Sequence, residues 1–491
     1  MRRPQCISSL PRLVTRHDGR RPSRRGWVLG IGTLLVGCLL VSSSAKGQDS
    51  GSSEVASPPN IVVMIADDLG WDDLGCYGNP GVRTPNIDRL AEDGVRYDAA
   101  FLTCSSCSPS RTSILTGRYP HATGASQLHQ PVPAEQILVS TPLREAGYYT
   151  AAVGKWHLGP AVQEQFDLVK QGGGPGAEEF WVPVLRDRPR DQPFFLWLAA
   201  TDPHRDYAPG TLDPPHDPAD VVVPPYFPDT PEVRADLAAY YDEIGRFDKY
   251  VGLVMEELER QGVADSTLVI IMTDNGRPFP SCKTRVTANG VKTPLVMRWP
   301  GHIEPSTASN SLVSSIDLAP TFLELAGVEI GETFQGVSLV PTFDDPTAQV
   351  REYAFAEHNW HDYQSFERAI ISLDGLLVIN ECPHLPPTPP ADAVRSPTYV
   401  KMMEMYADGL LNEVQSDVFR APRGRTELFL WRQDSQCIAD QADQPEHESL
   451  QQRLHGALLQ WQAETNDSFP GIDQLRPDKY DRRTGRLPEG N

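Results

Sequence analysis

Asp67-Asp68, Lys155, His157, His204 and Asp274-Asn275 each stand just beyond a short apolar run. That shared position is the first sign of chemistry in this chain. The runs cover residues 61–66, 149–153, 194–199 and 268–273, and they read as buried parallel strands. In an open parallel α/β sheet the ligand crevice lies beyond the carboxyl ends of the strands, so these side chains are expected to converge on one site. Three carboxylates and an amide oxygen are hard ligands, suited to calcium or magnesium rather than zinc or copper. Asp-Asp and Asp-Asn-Gly are also ordinary turn sequences; their placement directly after two buried strands favours the site. Side chains alternate along a strand, so Asp67 and Asp68 reach one ion only if the backbone bends there.

A nucleophile is offered by Cys107, in Cys107-Ser108-Pro109-Ser110-Arg111. Pro109 suits the first turn of a helix running on through Arg111, Ile114 and Leu115, and a nucleophile at that end gains from the helix dipole. Alone, an exported cysteine reads more simply as half a disulfide, with Cys104 a further candidate.

The elements that must position these groups follow from periodicity. Residues 231–261 place Val233, Leu237, Tyr240, Ile244, Phe247, Val251, Val254 and Leu258 on one helical face. Strands alternating with helices argue for an α/β sheet. Short strands are expected at 353–356, 369–372, 376–380 and 427–430, with Asp374-Gly375 as a hairpin turn and a last helix over about 446–464. The proline-rich stretch 382–393 reads as an irregular loop. Glu357, His358, Asn359, His361 and Asp362 form a polar cluster after a strand; with Arg368 it reads either as the lining of a ligand subsite, since such loops close over a crevice, or as an ordinary solvated loop.

The 491 residues allow a large unit and a smaller one. The expected division is an export signal at 1–45, a linker at 46–57, a catalytic domain at 58–350, a C-terminal subdomain at 351–478 and a tail at 479–491. The first 45 residues combine Arg20, Arg21, Arg24 and Arg25 with an apolar run too short for a comfortable span. Ser23-Arg24-Arg25-Gly26-Trp27-Val28-Leu29 resembles a twin-arginine signal. Leu35-Val36-Gly37-Cys38 resembles a lipobox, so membrane attachment is expected only through lipidation at Cys38. Those 45 residues carry eight arginines and one acid, so the net charge of −21 becomes −28 without them. Such a field excludes binding nucleic acid or an anionic membrane through overall charge. An anionic substrate then needs a local cationic pocket or a metal.

The run from Cys107 through Thr112-Ser113-Ile114-Leu115-Thr116-Gly117-Arg118 resembles the signature of type I sulfatases. Their second signature is matched by Gly147-Tyr148-Tyr149-Thr150-Ala151-Ala152-Val153-Gly154-Lys155-Trp156-His157-Leu158-Gly159. The likeness extends over about residues 60–470. Asp274-Asn275-Gly276-Arg277-Pro278-Phe279-Pro280-Ser281, Lys283-Thr284, Asp202-Pro203-His204-Arg205 and Trp461-Gln462-Ala463-Glu464-Thr465 are similar to the heparan N-sulfatase (sulfamidase) branch. One departure is Lys283, where the branch's characterised animal enzyme has arginine; lysine presents a point charge rather than a planar fork. The resemblance implies an alkaline phosphatase-like α/β fold: a central, mostly parallel sheet flanked by helices, with a smaller C-terminal α+β subdomain. It implies hydrolysis of a sulfated glycan, Cys107 oxidised to formylglycine by a formylglycine-generating enzyme, and one calcium ion on Asp67, Asp68, Cys107, Asp274 and Asn275. Lys155 and Lys283 would hold sulfuryl oxygens, Arg111 would orient the formylglycine, His157 would assist its deprotonation, and His204 would protonate the leaving atom. The alternatives are a phosphonate monoester or phosphodiester hydrolase of the same superfamily and a non-catalytic glycan-binding relative.

Overall fold

The computed structural model describes residues 58–488. The export signal, the linker, Cys38 and the last three residues of the tail lie outside the described residues. Fourteen strands among the described residues build three sheets. In chain order they are β1 (Asn60–Ala66), β2 (Val95–Tyr97), β3 (Ala100–Phe101), β4 (Tyr149–Gly154), β5 (Leu168–Gln171), β6 (Phe194–Ala199), β7 (Thr267–Thr273), β8 (Leu295–Arg298), β9 (Thr307–Ser309), β10 (Val313–Ser314), β11 (Ala354–Trp360), β12 (Gln364–Ile371), β13 (Leu376–Asn380) and β14 (Thr426–Phe429).

The central sheet has the order β5-β4-β6-β1-β7-β8-β2-β9. Its first five strands run parallel, and β8 turns antiparallel against β7. The four apolar runs of the sequence are therefore four adjacent parallel strands, β4, β6, β1 and β7. Both faces of β1 are buried: Ile61, Val63 and Ile65 enter one apolar cluster, Val62, Met64 and Ala66 another. Such two-sided burial explains why these strands read as unbroken apolar runs. The second cluster is closed by a long helix, Pro231–Arg260, whose eight expected apolar positions are all buried. Thr230 accepts the Val233 N–H and Pro231 occupies the first turn, so both the capping donor and the proline sit where a helix start favours them. Each large side chain on that stripe contributes about 1.5–3 kcal/mol by leaving water, as an upper estimate.

Strands β11 to β14 form an antiparallel sheet in sequence order. Ala356, Ala369, Ile371 and Val378 join the first apolar cluster, while Ile370, Leu377 and Leu428 pack with Leu454, Leu458 and Trp461 of the helix Glu448–Thr465. Two of these strands run longer than the sequence suggests. Glu357, His358 and Asn359 lie within β11, not in a loop after it. Glu357 stands opposite Arg368 and His358 opposite Glu367 across the ladder. Charged residues matched across strands can be buried without breaking the sheet, and an apolar pattern does not reveal them. No helix of the described residues is long and apolar enough to cross a membrane. The six described cysteines are all unpaired.

Candidate active site

Register brings the chemistry together. Ala66 is opposite Thr273, and Gly154 and Ile65 are both opposite Ala199. The residues that follow leave the sheet side by side at one edge. Gly154 is required at its position: φ is +99°, and a Cβ there would lie 2.0 Å from the Ala199 carbonyl oxygen. The following Lys155 donates its N–H to that same carbonyl at 2.8 Å. The bend needed after β1 occurs at Asp68, whose φ is +73°. A non-glycine residue pays about 1–3 kcal/mol there. Its N–H is taken by Asp274 Oδ1 at 3.2 Å and its carboxylate by Lys283 Nζ at 2.7 Å and by the Asn275 amide.

Asp67, Asp68 and Asp274 are fully buried, with carboxylate oxygens within 4.8 Å of one another. Three cations meet them. Lys155 pairs with Asp67, Lys283 with Asp68, and Arg111 donates Nε–H to Asp274 Oδ2 at 2.6 Å while its far nitrogen lies 3.5 Å from Asp67. Burial opposes ionisation of Asp67, but Lys155, His204, Arg111 and Lys283 together hold its carboxyl well below the usual range. Asp274 is different: burial, aided by Asp67 and Asp68, pushes it up to about 7 against the pull of Arg111. Asp67 Oδ1 and Asn275 Oδ1 are buried and accept no hydrogen bond. Crowded carboxylates and unsatisfied oxygen acceptors are a donor set that fits a hard divalent cation.

Cys107 opens the helix Cys107–Thr116, with Pro109 in its first turn. Its Sγ is 3.9 Å from Asp68 Oδ1. Burial, with Asp67 beside it, pushes the thiol well above its ordinary pKa. The helix dipole does not win here: an unmodified Cys107 remains a protonated, poorly nucleophilic thiol. His204 donates Nδ1–H to the Arg205 carbonyl at 2.5 Å, which leaves Nε2 between Asp68 Oδ2 at 3.8 Å and Asp392 Oδ2 at 3.7 Å. Asp67, Lys155, His204, Arg205 and Arg246 line a cavity of about 370 Å³. His157 pairs through Nε2 with His129 Nδ1 at 2.7 Å. Burial, Lys155 and Arg111 push its pKa down to about 2, so it is neutral at working pH.

A family model described as Sulfatase matches residues 59–181 and 177–328. Human N-sulphoglucosamine sulphohydrolase is 32% identical over 465 residues, covering 84% of this chain and 92% of its own length. The chain belongs to the sulfatase family. This sulfatase is also 27% identical over 470 residues to an ulvan-active sulfatase of Formosa agariphila, covering 85% of this chain and 76% of the relative. A protein solved in complex with its substrate D-glucosamine-2-N,6-O-disulfate aligns with a TM-score of 0.65 at 20% identity, over 85% of this chain and 100% of that one. The phosphonate monoester hydrolase of Agrobacterium radiobacter gives 0.63 at 17%, over 83% and 96%. The fold of the sulfatase is the alkaline phosphatase-like one.

The four residues expected to contact sugar are placed differently from one another. His361 lies beside the start of the Cys107–Thr116 helix, its Nδ1 2.8 Å from Ser106 Oγ. His358 is buried near Glu367 and Arg285, and burial pushes its pKa down to about 4. Glu357 has no exposed surface and accepts from His121 and Asn359. Arg368 binds Asp467 through two 2.7 Å bonds and reaches the wall of an open cavity of about 250 Å³ that His121, Asn359 and Asp467 share. Sequence reasoning missed His129 and Asp392. Neither follows a strand of the central sheet; Asp392 comes from the end of the proline-rich stretch, where nothing in Ala391-Asp392-Ala393 signals a site.

Proposed function

We propose that this sulfatase cleaves sulfate from a sulfated sugar, with N-sulfoglucosamine the substrate class, using formylglycine at position 107 and one calcium ion. The observation that carries the reading is the meeting of Asp67, Asp68, Asp274 and Asn275 with Cys107, Lys155, Lys283 and His204. The substrate class draws on the human relative, named for N-sulphoglucosamine, and on the branch-like motifs around Asp274 and His204. Asp67, Asp68, Asp274 and Asn275, with position 107, would hold the ion. When bound, the modified side chain and the ion supply a hydroxyl nucleophile and Lewis-acid charge.

The remaining work belongs to side chains already in place. Lys155 and Lys283 bring ammonium groups to the crevice, where sulfuryl oxygens gain charge in the transition state. Arg111, locked on Asp274 and Asp67, fixes the wall against which position 107 is oriented. His204, with Nδ1 held by the Arg205 carbonyl, presents Nε2 to deliver a proton to the leaving atom. His157, held by His129, would assist deprotonation of position 107 during sulfate release, the role the resemblance assigns it. His361, His358, Arg368 and Glu357 would border the sugar, Glu357 through His121 and Asn359. Maturation by a formylglycine-generating enzyme and export, by the N-terminal signal, belong to the same reading.

The test is turnover of N-sulfoglucosamine, an aryl sulfate and a phosphodiester by protein co-expressed with a formylglycine-generating enzyme, with and without calcium chelation. Calcium-dependent release of sulfate is expected. Dominant phosphodiesterase activity, or a quantitatively unmodified Cys107 in protein from its native host, would overturn it.

A further inference from the structure

The carboxylate of Asp392 is the one group beside His204 that the roles above leave unused. It sits in the short helix Ala391–Val394, which closes the proline-rich stretch. That helix is pinned from two sides: Asp362 Oδ2 accepts the Ala391 N–H at 2.9 Å, and Arg395 donates to the Gly485 carbonyl at 2.6 Å. Asp392 Oδ1 accepts the Ala393 N–H at 2.8 Å. Its Oδ2 accepts no hydrogen bond among the described residues and faces His204 Nε2 across 3.7 Å. That gap is too long for a hydrogen bond. Asp68, on the other side of Nε2 at 3.8 Å, is committed to Lys283 and Asn275.

An atom that takes a proton from His204 must come within about 3 Å of Nε2. An atom seated there, on the Asp392 side, also comes within hydrogen-bond reach of Oδ2. What it carries then decides the outcome. A sulfamate nitrogen carries N–H before cleavage. When the S–N bond breaks, its electron pair stays on nitrogen, which takes the proton from His204 Nε2; the amine then gains a further proton from water and becomes an ammonium. Each species donates to a carboxylate. A sulfate-ester oxygen carries no hydrogen until after cleavage and would face Oδ2 with lone pairs. A polar group matched to an N–H rejects the analogue that lacks it, and the Asp392 side chain is only 18% exposed, so water replaces the missing partner poorly.

We propose that Asp392 is a specificity-determining residue that selects N-sulfated over O-sulfated substrate by accepting the leaving nitrogen's N–H. This rests on the sulfatase reading above and on His204 as the proton donor. A carboxylate that only held His204 in place would affect both substrate classes alike.

The experiment compares matured wild type, Asp392→Asn and Asp392→Ala on N-sulfoglucosamine, glucosamine 6-O-sulfate and 4-nitrophenyl sulfate. The expected result in both variants is a fall in kcat/KM of about 10- to 100-fold on the sulfamate, with the two O-sulfates unchanged or faster than in wild type, since the carboxylate that faces their leaving oxygen is gone. Retained O-sulfate turnover also reports that the variants fold. Equal losses on all three substrates, or an unchanged rate on the sulfamate, would overturn the inference. Wild type that cleaves O-sulfates but not the sulfamate overturns it while the sulfatase assignment stands. Wild type that cleaves none of them removes the proposed function and this inference together.

Discussion

Replacing Arg111 with methionine isolates the electrostatics of the site. The guanidinium is fully buried, with Nε at 2.6 Å from Asp274 and Nη2 at 3.5 Å from both Asp67 and the Ala200 carbonyl, while Nη1 reaches the Lys155 carbonyl at 3.3 Å. Methionine keeps much of the side-chain volume and removes the charge. Asp274, already pushed up to about 7 by burial and by its carboxylate neighbours, loses the cation that most opposes that push. Both partners are at 0% exposure, so water screens little of the loss, and breaking such a buried pair costs about 3–5 kcal/mol. Over the 58–488 stretch, about 430 residues, and with about 2 cal/mol/K of unfolding entropy per residue, that cost lowers Tm by about 3–6 °C. Differential scanning fluorimetry at pH 7.5 reads it, with Arg89→Met as control, since Arg89 pairs only with Asp93 on the surface. Arg111→Lys keeps a charge without the fork and should recover part of the loss. Calcium should raise Tm further in the methionine variant than in wild type, because the ion meets carboxylates with one fewer competing cation. A Tm within 1 °C of the Arg89 control would refute this account of the site, given that loss of a fully buried charge partner is worth several times more than about 1 kcal/mol.

Two other groups of substitutions probe separate links. Lys155→Ala and Lys283→Ala should each cut kcat on an aryl sulfate by about 10²–10³, the usual cost of removing a donor to developing charge. Lys283→Arg should keep most of that rate; initial-rate kinetics decide, and equal loss in both Lys283 variants would argue against a charge-holding role. Glu367, buried against Arg423 at 2.7 Å and Arg285 at 3.4 Å, tests acid stability. Burial alone would raise its pKa, but Arg423 and Arg285 bring it from 4.5 down to about 2. A depressed carboxyl stabilises the fold above its unfolded pKa and loses that contribution as pH falls through the folded one, here about 3 kcal/mol between pH 4.5 and 2. Urea unfolding should therefore find Glu367→Gln well below wild type at pH 7, with the difference closing below pH 4.5; a difference independent of pH would contradict the sign.

How much of this was legible in the sequence depended on where burial was apolar. Strands β4, β6, β1 and β7 announce themselves because both sheet faces are covered, and their ends carry Asp67, Lys155, His204 and Asp274. The second half of strand β11 does not, because Glu357 and His358 are buried opposite Arg368 and Glu367 across the ladder, although its start at 354–356 reads as strand. Asp392 was invisible for another reason. Its position comes from Asp362 and Gly485, far away in sequence, and a single aspartate in a proline-rich stretch has no periodicity to mark it.

The charge problem posed by the composition is resolved only in three dimensions, and not by cations alone. Outside the first 45 residues the chain stands at −28, a field that repels sulfate. Arg111, Lys155 and Lys283 look like the required basic pocket, yet each is already paired with Asp274, Asp67 or Asp68. With all three carboxylates ionised, three buried cations against them leave no net charge to draw in an anion. A divalent ion held by those oxygens makes the same cluster net positive by two charges and frees the lysines to face the substrate. On the proposed reading, then, calcium does more than polarise sulfur: it converts a self-neutralised cluster into an anion trap. The salt dependence of KM should accordingly be steep for the calcium-loaded sulfatase, because substrate capture is then driven by local charge against a repelling surface.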